Sequence, residues 1–224
     1  MCGVFGFITK NGSGPNLARL KRIAAETQRR GHHAFGLAWL DSKGTIHTFK
    51  CPGPATANLG ALDACRGATV LIGHCRWATH GDPQDNRNNH PHAAGRGFFV
   101  HNGVVANHLT LERRFRLQPQ TECDSEILGL LMAKIPGALG HRAARTAEVA
   151  EGRLTMLGVW RNPARLLVVR NGNPLHFGET KGGFYFASLP EELPGKVIPL
   201  KERYAGILTL SDGRLRHEAY PIGG

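Results

Sequence analysis

Met1-Cys2-Gly3-Val4-Phe5-Gly6-Phe7-Ile8 opens the chain, small and bulky apolar residues alternating as in a buried strand. Cys2 directly follows the methionine, so trimming one residue leaves a thiol and a free α-amine on the same residue. An α-amine has an unperturbed pKa near ~8 and can take the thiol proton at neutral pH. Cys2 therefore reads either as a nucleophile carrying its own base or as a small apolar residue at the start of a strand. Its position alone does not choose between them.

Working outward, Asn16 to Arg30 places Leu17, Leu20, Ile23, Ala24 and Thr27 on one helical face. Phe35 to Leu40 and Thr45 to Phe49, joined by Asp41-Ser42-Lys43-Gly44, read as a hairpin, and Ala68 to Cys75 as a further strand. Residues 77–97 are rich in Asn, His, Pro and Gly, too long for a simple connection, and read as a functional loop. Phe98 to His101 is a short strand, followed by helices at Asn107–Leu117, Ser125–Ile135 and Gly140–Ala150. Strand-like segments then run through Arg153–Trp160, Arg165–Val169, Pro174–Phe177, Gly183–Ser188, Val197–Leu200 and Gly206–Leu210, with turns at Asn171-Gly172 and Asp212-Gly213. Many antiparallel strands with grouped helices predict an α+β layered fold, read as a single domain over residues 1–224.

The composition, 41% hydrophobic and 20% charged, is that of a globular protein. No apolar run reaches membrane-spanning length and no export signal opens the chain, so no membrane contact and a cytoplasmic location are expected. Five scattered cysteines with no C-x-x-C pair argue against a disulfide framework and a structural zinc site. Among twelve histidines, His90-Pro91-His92 is the group most suggestive of metal, but no established ligand spacing surrounds it; no metal and no cofactor are expected. The formal charge of +11 implies attraction to anions. The basic residues are spread out and form no nucleic-acid motif, so nucleic acid is a weakly supported partner.

Three further stretches carry chemistry. Arg76-Trp77-Ala78-Thr79-His80-Gly81 leaves a buried strand with a guanidinium, a hydroxyl and an imidazole together, suited to clamping a carboxylate or to forming a surface ion pair. His101-Asn102-Gly103 offers a side-chain amide beside an unshielded backbone N–H, suited to an oxyanion, or is an Asn-Gly turn. Thr121-Glu122-Cys123-Asp124-Ser125-Glu126 precedes an apolar run; Thr121 and Asp124 fit a capping box, and the same carboxylate suits a ligand ammonium.

Taken in order, Met-Cys-Gly, Arg-Trp-Ala-Thr-His-Gly, His-Pro-His, His-Asn-Gly and Thr-Glu-Cys-Asp-Ser-Glu resemble the glutaminase domain of class II glutamine amidotransferases, as in glucosamine-6-phosphate synthase. These are N-terminal nucleophile hydrolases, and the resemblance implies an αββα sandwich of two antiparallel sheets. It implies Cys2 as nucleophile with its own amine as base, and Asn102 and Gly103 as the oxyanion hole. Arg76 would grip the α-carboxylate of L-glutamine, Thr79 and His80 would line the same pocket, Asp124 would accept the α-ammonium, and Trp77 would be a mobile wall. One departure stands out: relatives carry Arg-Gly-aromatic-Asp-Ser-Ala-Gly where this chain has Arg30-Gly31-His32-His33-Ala34-Phe35-Gly36, with His33 at the acidic position.

The sequence has no counterpart of the synthase's sugar-isomerising half. The expectation is a free-standing glutaminase subunit supplying ammonia to a separate acceptor enzyme. Two alternatives stay open: a hydrolase of other γ-glutamyl amides, and a non-catalytic module holding an anion or nucleic acid in the same pocket.

Overall fold

In the computed structural model, which describes residues 1–223, β1 (Gly3–Thr9) lies at the centre of the molecule. The chain continues through α1 (Leu17–Thr27), the hairpin β2 (Ala34–Leu40) and β3 (Ile46–Pro52), and β4 (Val70–Arg76). β5 (His92–Ala94) and β6 (Gly97–Gly103) follow, then α2 (His108–Phe115), α3 (Glu126–Lys134) and α4 (Leu139–Val149). The second half is β7 (Leu154–Trp160), β8 (Ala164–Asn171), β9 (His176–Glu179), β10 (Gly183–Ala187), β11 (Ile198–Pro199), β12 (Tyr204–Ser211) and β13 (Arg214–Pro221). One sheet has the order β11-β9-β10-β1-β4-β2-β3 and the other β13-β12-β8-β7-β6-β5. The pairings within both are antiparallel.

Period-two alternation builds the layers, because successive strand residues point to opposite faces. In β1, Val4 and Ile8 enter the core between the sheets, while Phe5 and Phe7 pack with Leu20, Ile23 and Ala24 of α1. β4 repeats the pattern: Val70 and Ile72 face the second sheet, Leu71 and Cys75 face α1. On the other side, Val100, Leu157, Val159, Leu166 and Val168 meet them, while Phe99, Met156, Leu167 and Val169 turn outward onto α3 and α4. Each such side chain, fully buried, contributes roughly 1.5–3 kcal/mol relative to exposure. The result is helix, sheet, sheet and helix in four layers, the expected sandwich.

The elements agree with the sequence pattern in type, with differences at the edges. β13 is absent from the pattern because Arg-Leu-Arg-His-Glu-Ala-Tyr-Pro is mostly solvated, as suits the edge of a sheet. It is set by its turn, Asp212 and Gly213 having φ of 52° and 68°, the two positive values a two-residue hairpin of matching twist requires. Within the long loop the chain forms β5 and a short 3₁₀ turn at Asn86–Asn88. Gly36 of β2 lets this loop lie against the sheet, since a Cβ there would fall 1.9 Å from the His90 carbonyl oxygen.

Four histidines are buried near the loop: His74, His90, His92 and His101. Burial lowers His74 to about 3 and His101 to about 4, and holds His90 and His92 well below the ordinary imidazole range. The fold thus excludes protons that the unfolded chain binds below about pH 6.5. Their contribution to stability is complete above that pH and is lost as the pH falls toward 4 and then 3. Urea midpoints in metal-free buffer should fall steadily from pH 7 to pH 5; a midpoint constant across this range would contradict the neutral buried cluster.

Candidate active site

Cys2 precedes β1, whose register on β4 sets Gly3 opposite Cys75 and so brings Cys2 to the Arg76 end of that strand. The Cys2 Sγ accepts the Trp77 N–H at 3.3 Å and lies 3.4 Å from the Trp77 carbonyl oxygen. Arg30 Nε donates to the Cys2 carbonyl at 2.7 Å, anchoring the backbone of the candidate nucleophile. Burial pushes the Cys2 thiol up; the Trp77 N–H, the N-terminal charge and Arg76 pull it down. With burial dominant, the sulfur is held as a thiol and needs a base before it attacks.

The thiol opens on a cleft of ≈ 450 Å³ whose walls include Cys2, Trp77, Thr79, Asn102, Gly103 and Asn173. Asn102 and Gly103 are not a turn: they end β6, paired with Thr155 and Leu154 of β7. The Asn102 backbone carbonyl accepts from Asn173 Nδ2 at 2.9 Å. Its side-chain amide is fully buried, and neither its oxygen nor its nitrogen meets a protein partner. Such a group is costly to leave unpaired, and proteins keep few of them. Gly103 is required as glycine, for a Cβ would lie 1.8 Å from the Arg153 carbonyl oxygen.

Arg76, Asp124 and His80 stand behind this cleft rather than on its wall. Arg76 is buried; Nη1 donates to Asn89 Oδ1 at 2.8 Å and Nη2 to the carbonyls of His80 and Gly81, the latter at 3.1 Å. Asp124 is buried too, its Oδ2 accepting the Val105 N–H at 2.6 Å and its Oδ1 lying 3.6 Å from His80 Nδ1. Thr79 Oγ1 is 3.3 Å from the same His80 nitrogen. The 77–81 loop thus occupies Arg76 Nη2 with its own backbone and sets the His80 imidazole beside Asp124 Oδ1. The capping-box reading of Thr121 with Asp124 needs correction. Glu126 reaches back to the Thr121 N–H and hydroxyl, both at 2.8 Å, and to the Gln120 N–H, leaving Asp124 free for Val105. Ser125, at the helix start, pairs with His101 Nδ1 at 2.8 Å instead of capping α3.

His33, the departure from the acidic position, has a defined contact. Its Nδ1 accepts the Ala78 N–H at 3.0 Å while its ring stacks on Trp77 at 4.7 Å between centroids. Burial, then the neighbouring His32 and Arg76 charges, lower its pKa, keeping the nitrogen free to accept. A carboxylate there would accept the same hydrogen bond, so the substitution preserves the acceptor and removes the charge. The sequence did not single out Arg30, Asn89 or Asn173 as site residues. Each acts across 13 to 71 positions, on Cys2, Arg76 and Asn102 respectively, and no local spacing announces such a contact.

Comparison with known proteins agrees with this architecture. Residues 74–194 match the glutamine amidotransferase domain family. The chain is 34% identical over 234 residues to glutamine–fructose-6-phosphate aminotransferase (isomerizing) of Chlorobaculum tepidum, covering 96% of this chain and 35% of that protein. Its counterpart in Aquifex aeolicus is 31% identical over 224 residues, covering 96% and 36%. The chain thus spans about a third of the length of these curated relatives. Among solved structures, glutamine phosphoribosylpyrophosphate amidotransferase from B. subtilis superposes with a TM-score of 0.78 at 21% identity, over 97% of this chain and 49% of that one. A glutamine aminotransferase class-II domain protein from silicibacter pomeroyi superposes at 0.60 and 18% identity, over the full length of both chains. No described helix is long and apolar enough to cross a membrane. The chain belongs to the class II glutamine amidotransferases, of the N-terminal nucleophile hydrolase type.

Proposed function

We propose that this chain is a glutaminase that splits the side-chain amide of L-glutamine through a γ-glutamyl thioester on Cys2, delivering ammonia to a separate acceptor enzyme. The observation that carries the reading is the unpaired, buried amide of Asn102 in the cleft that Cys2 opens on. Once Met1 is removed, the α-amine of Cys2 takes the thiol proton and the sulfur attacks the carboxamide carbon. The oxygen of that carbon gathers negative charge, which Asn102 Nδ2 and the Gly103 N–H stabilise. The ammonium of Cys2 returns its proton to the departing nitrogen, ammonia leaves, and water then attacks the thioester to release glutamate.

The distal end of glutamine calls for an exchange of partners. Its α-carboxylate replaces the His80 and Gly81 carbonyls on Arg76, a charged acceptor in place of neutral ones. Its α-ammonium replaces the His80 imidazole beside Asp124. Both exchanges move the 77–81 segment, with half-exposed Trp77 at its head and His80 displaced onto the substrate side. His33 is the positioning residue for that segment, through Ala78.

Intact-mass analysis after exposure to a glutamine-mimicking diazo-ketone should show loss of Met1 and one adduct, absent from Cys2→Ala. A folded wild-type protein that takes up no adduct would sink the assignment. Replacing Asn102 by Ala removes no protein hydrogen bond from its side chain, so the fold should persist while kcat for ammonia release drops about 10²–10³-fold with KM little changed. A KM increase with kcat intact would instead make Asn102 a binding group. His33→Ala should raise KM for glutamine roughly fivefold, the worth of one neutral hydrogen bond, and His33→Asp should restore it. Equal effects of the two substitutions would show that the acceptor at residue 33 does not hold the loop.

A further inference from the structure

Outside the lining of the cleft, His90, His92 and Cys123 bring two imidazoles and a thiol together. One ligand atom from each lies within 4.8 Å of the others, and all three residues are buried. Neither ring nitrogen of His90 meets a hydrogen-bond partner, nor does His92 Nε2. His90 packs against His74 at 4.1 Å and His92 at 4.5 Å between ring centroids, so its surroundings supply rings rather than carbonyls. Three orphaned nitrogens on two adjacent buried rings exceed what a merely packed histidine needs, because each unpaired buried group costs on the order of 1–3 kcal/mol.

We propose that His90, His92 and Cys123 form a metal site for a borderline-soft divalent cation, with zinc(II) the best match. Two imidazoles and one thiolate are donors that favour zinc over magnesium or calcium, which prefer oxygen. As the sulfur–zinc bond forms, the Cys123 thiol releases one proton to solvent. The Asp124 carboxylate lies 4.0 Å from the Cys123 sulfur. Zinc(II), thiolate and carboxylate therefore sum to zero charge, the condition for burying an ion at tolerable cost. The sequence carries no established ligand spacing here; residues 92 and 123 meet only because β5 packs on α3.

The site would tie together two segments that flank the candidate glutamine clamp. His90 and His92 follow Asn89, the partner of Arg76, and Cys123 precedes Asp124. Asn88 already bridges the same segments, its Oδ1 accepting the Glu122 N–H at 2.9 Å. The bound ion would thus be structural and would not enter the acyl transfer; its presence stands or falls independently of the glutaminase reading.

The test is titration of chelator-treated full-length protein with cobalt(II) and zinc(II), followed by absorption spectroscopy and elemental analysis. One equivalent of cobalt should give a thiolate-to-cobalt charge-transfer band that zinc abolishes, with one proton released per ion. Cys123→Thr and His92→Gln, checked for native near-UV circular dichroism, should lose the band and weaken zinc binding beyond the about 10–100-fold typical of indirect supporting residues. Cys2→Ala should keep it. No band in the folded wild type, or a band that survives Cys123→Thr and vanishes in Cys2→Ala, would overturn the assignment.

Discussion

A hydrogen bond from His74 Nε2 to the His101 carbonyl, 2.9 Å long, crosses the apolar layer between the two sheets. His74 belongs to β4 and His101 to β6, so the bond ties the strand that ends in Arg76 to the strand that ends in Asn102 and Gly103. Packed sheets lie about 10 Å apart, a separation that side chains span readily but that leaves their relative slide free. A buried polar crosslink removes that freedom, since breaking it strands both groups away from water. Cys2 is then carried to the same place by the pairing of β1 on β4.

The two ends of the cleft are organised differently. At the sulfur end, the Asn102 amide is fixed and unpaired, with Gly103 excluded from any larger identity by the Arg153 carbonyl. Donors fixed before charge develops need no reorganisation when it appears. Behind the cleft, Arg76 is engaged by Asn89 and by the His80 and Gly81 carbonyls, and Asp124 by the Val105 N–H with the His80 imidazole beside it. Under the proposed function, recognition there trades internal partners for ligand groups, which couples binding to loop position. A buried guanidinium and a buried carboxylate left without partners would be far costlier than this exchange.

His33 shows how a substitution that reads as disruptive can be absorbed. An imidazole stands where the resemblance implies an acid, and its Nδ1 accepts the Ala78 N–H. Burial and neighbouring positive charge, which disfavour protonation, are what make the exchange workable.

The amino-acid sequence by itself determined the strand and helix types, because period-two and helical alternation are local properties of side-chain chemistry. It also pointed to the glutamine amidotransferase family, because Cys2, Arg76, Asn102 and Asp124 each sit in a short, readable context. Tertiary structure alone decided the rest. Asp124 was legible as an acid near a helix start, but its partner is Val105, and Thr121 is held by Glu126 instead. The edge strand β13 was hidden by its solvated composition and emerges only from pairing with β12. The engagement of Arg76 by Asn89, the seat of His33 under Trp77 and the meeting of His90, His92 and Cys123 all join residues that share no spacing. Their contacts arise from the stacking of layers, which no periodicity along the chain records.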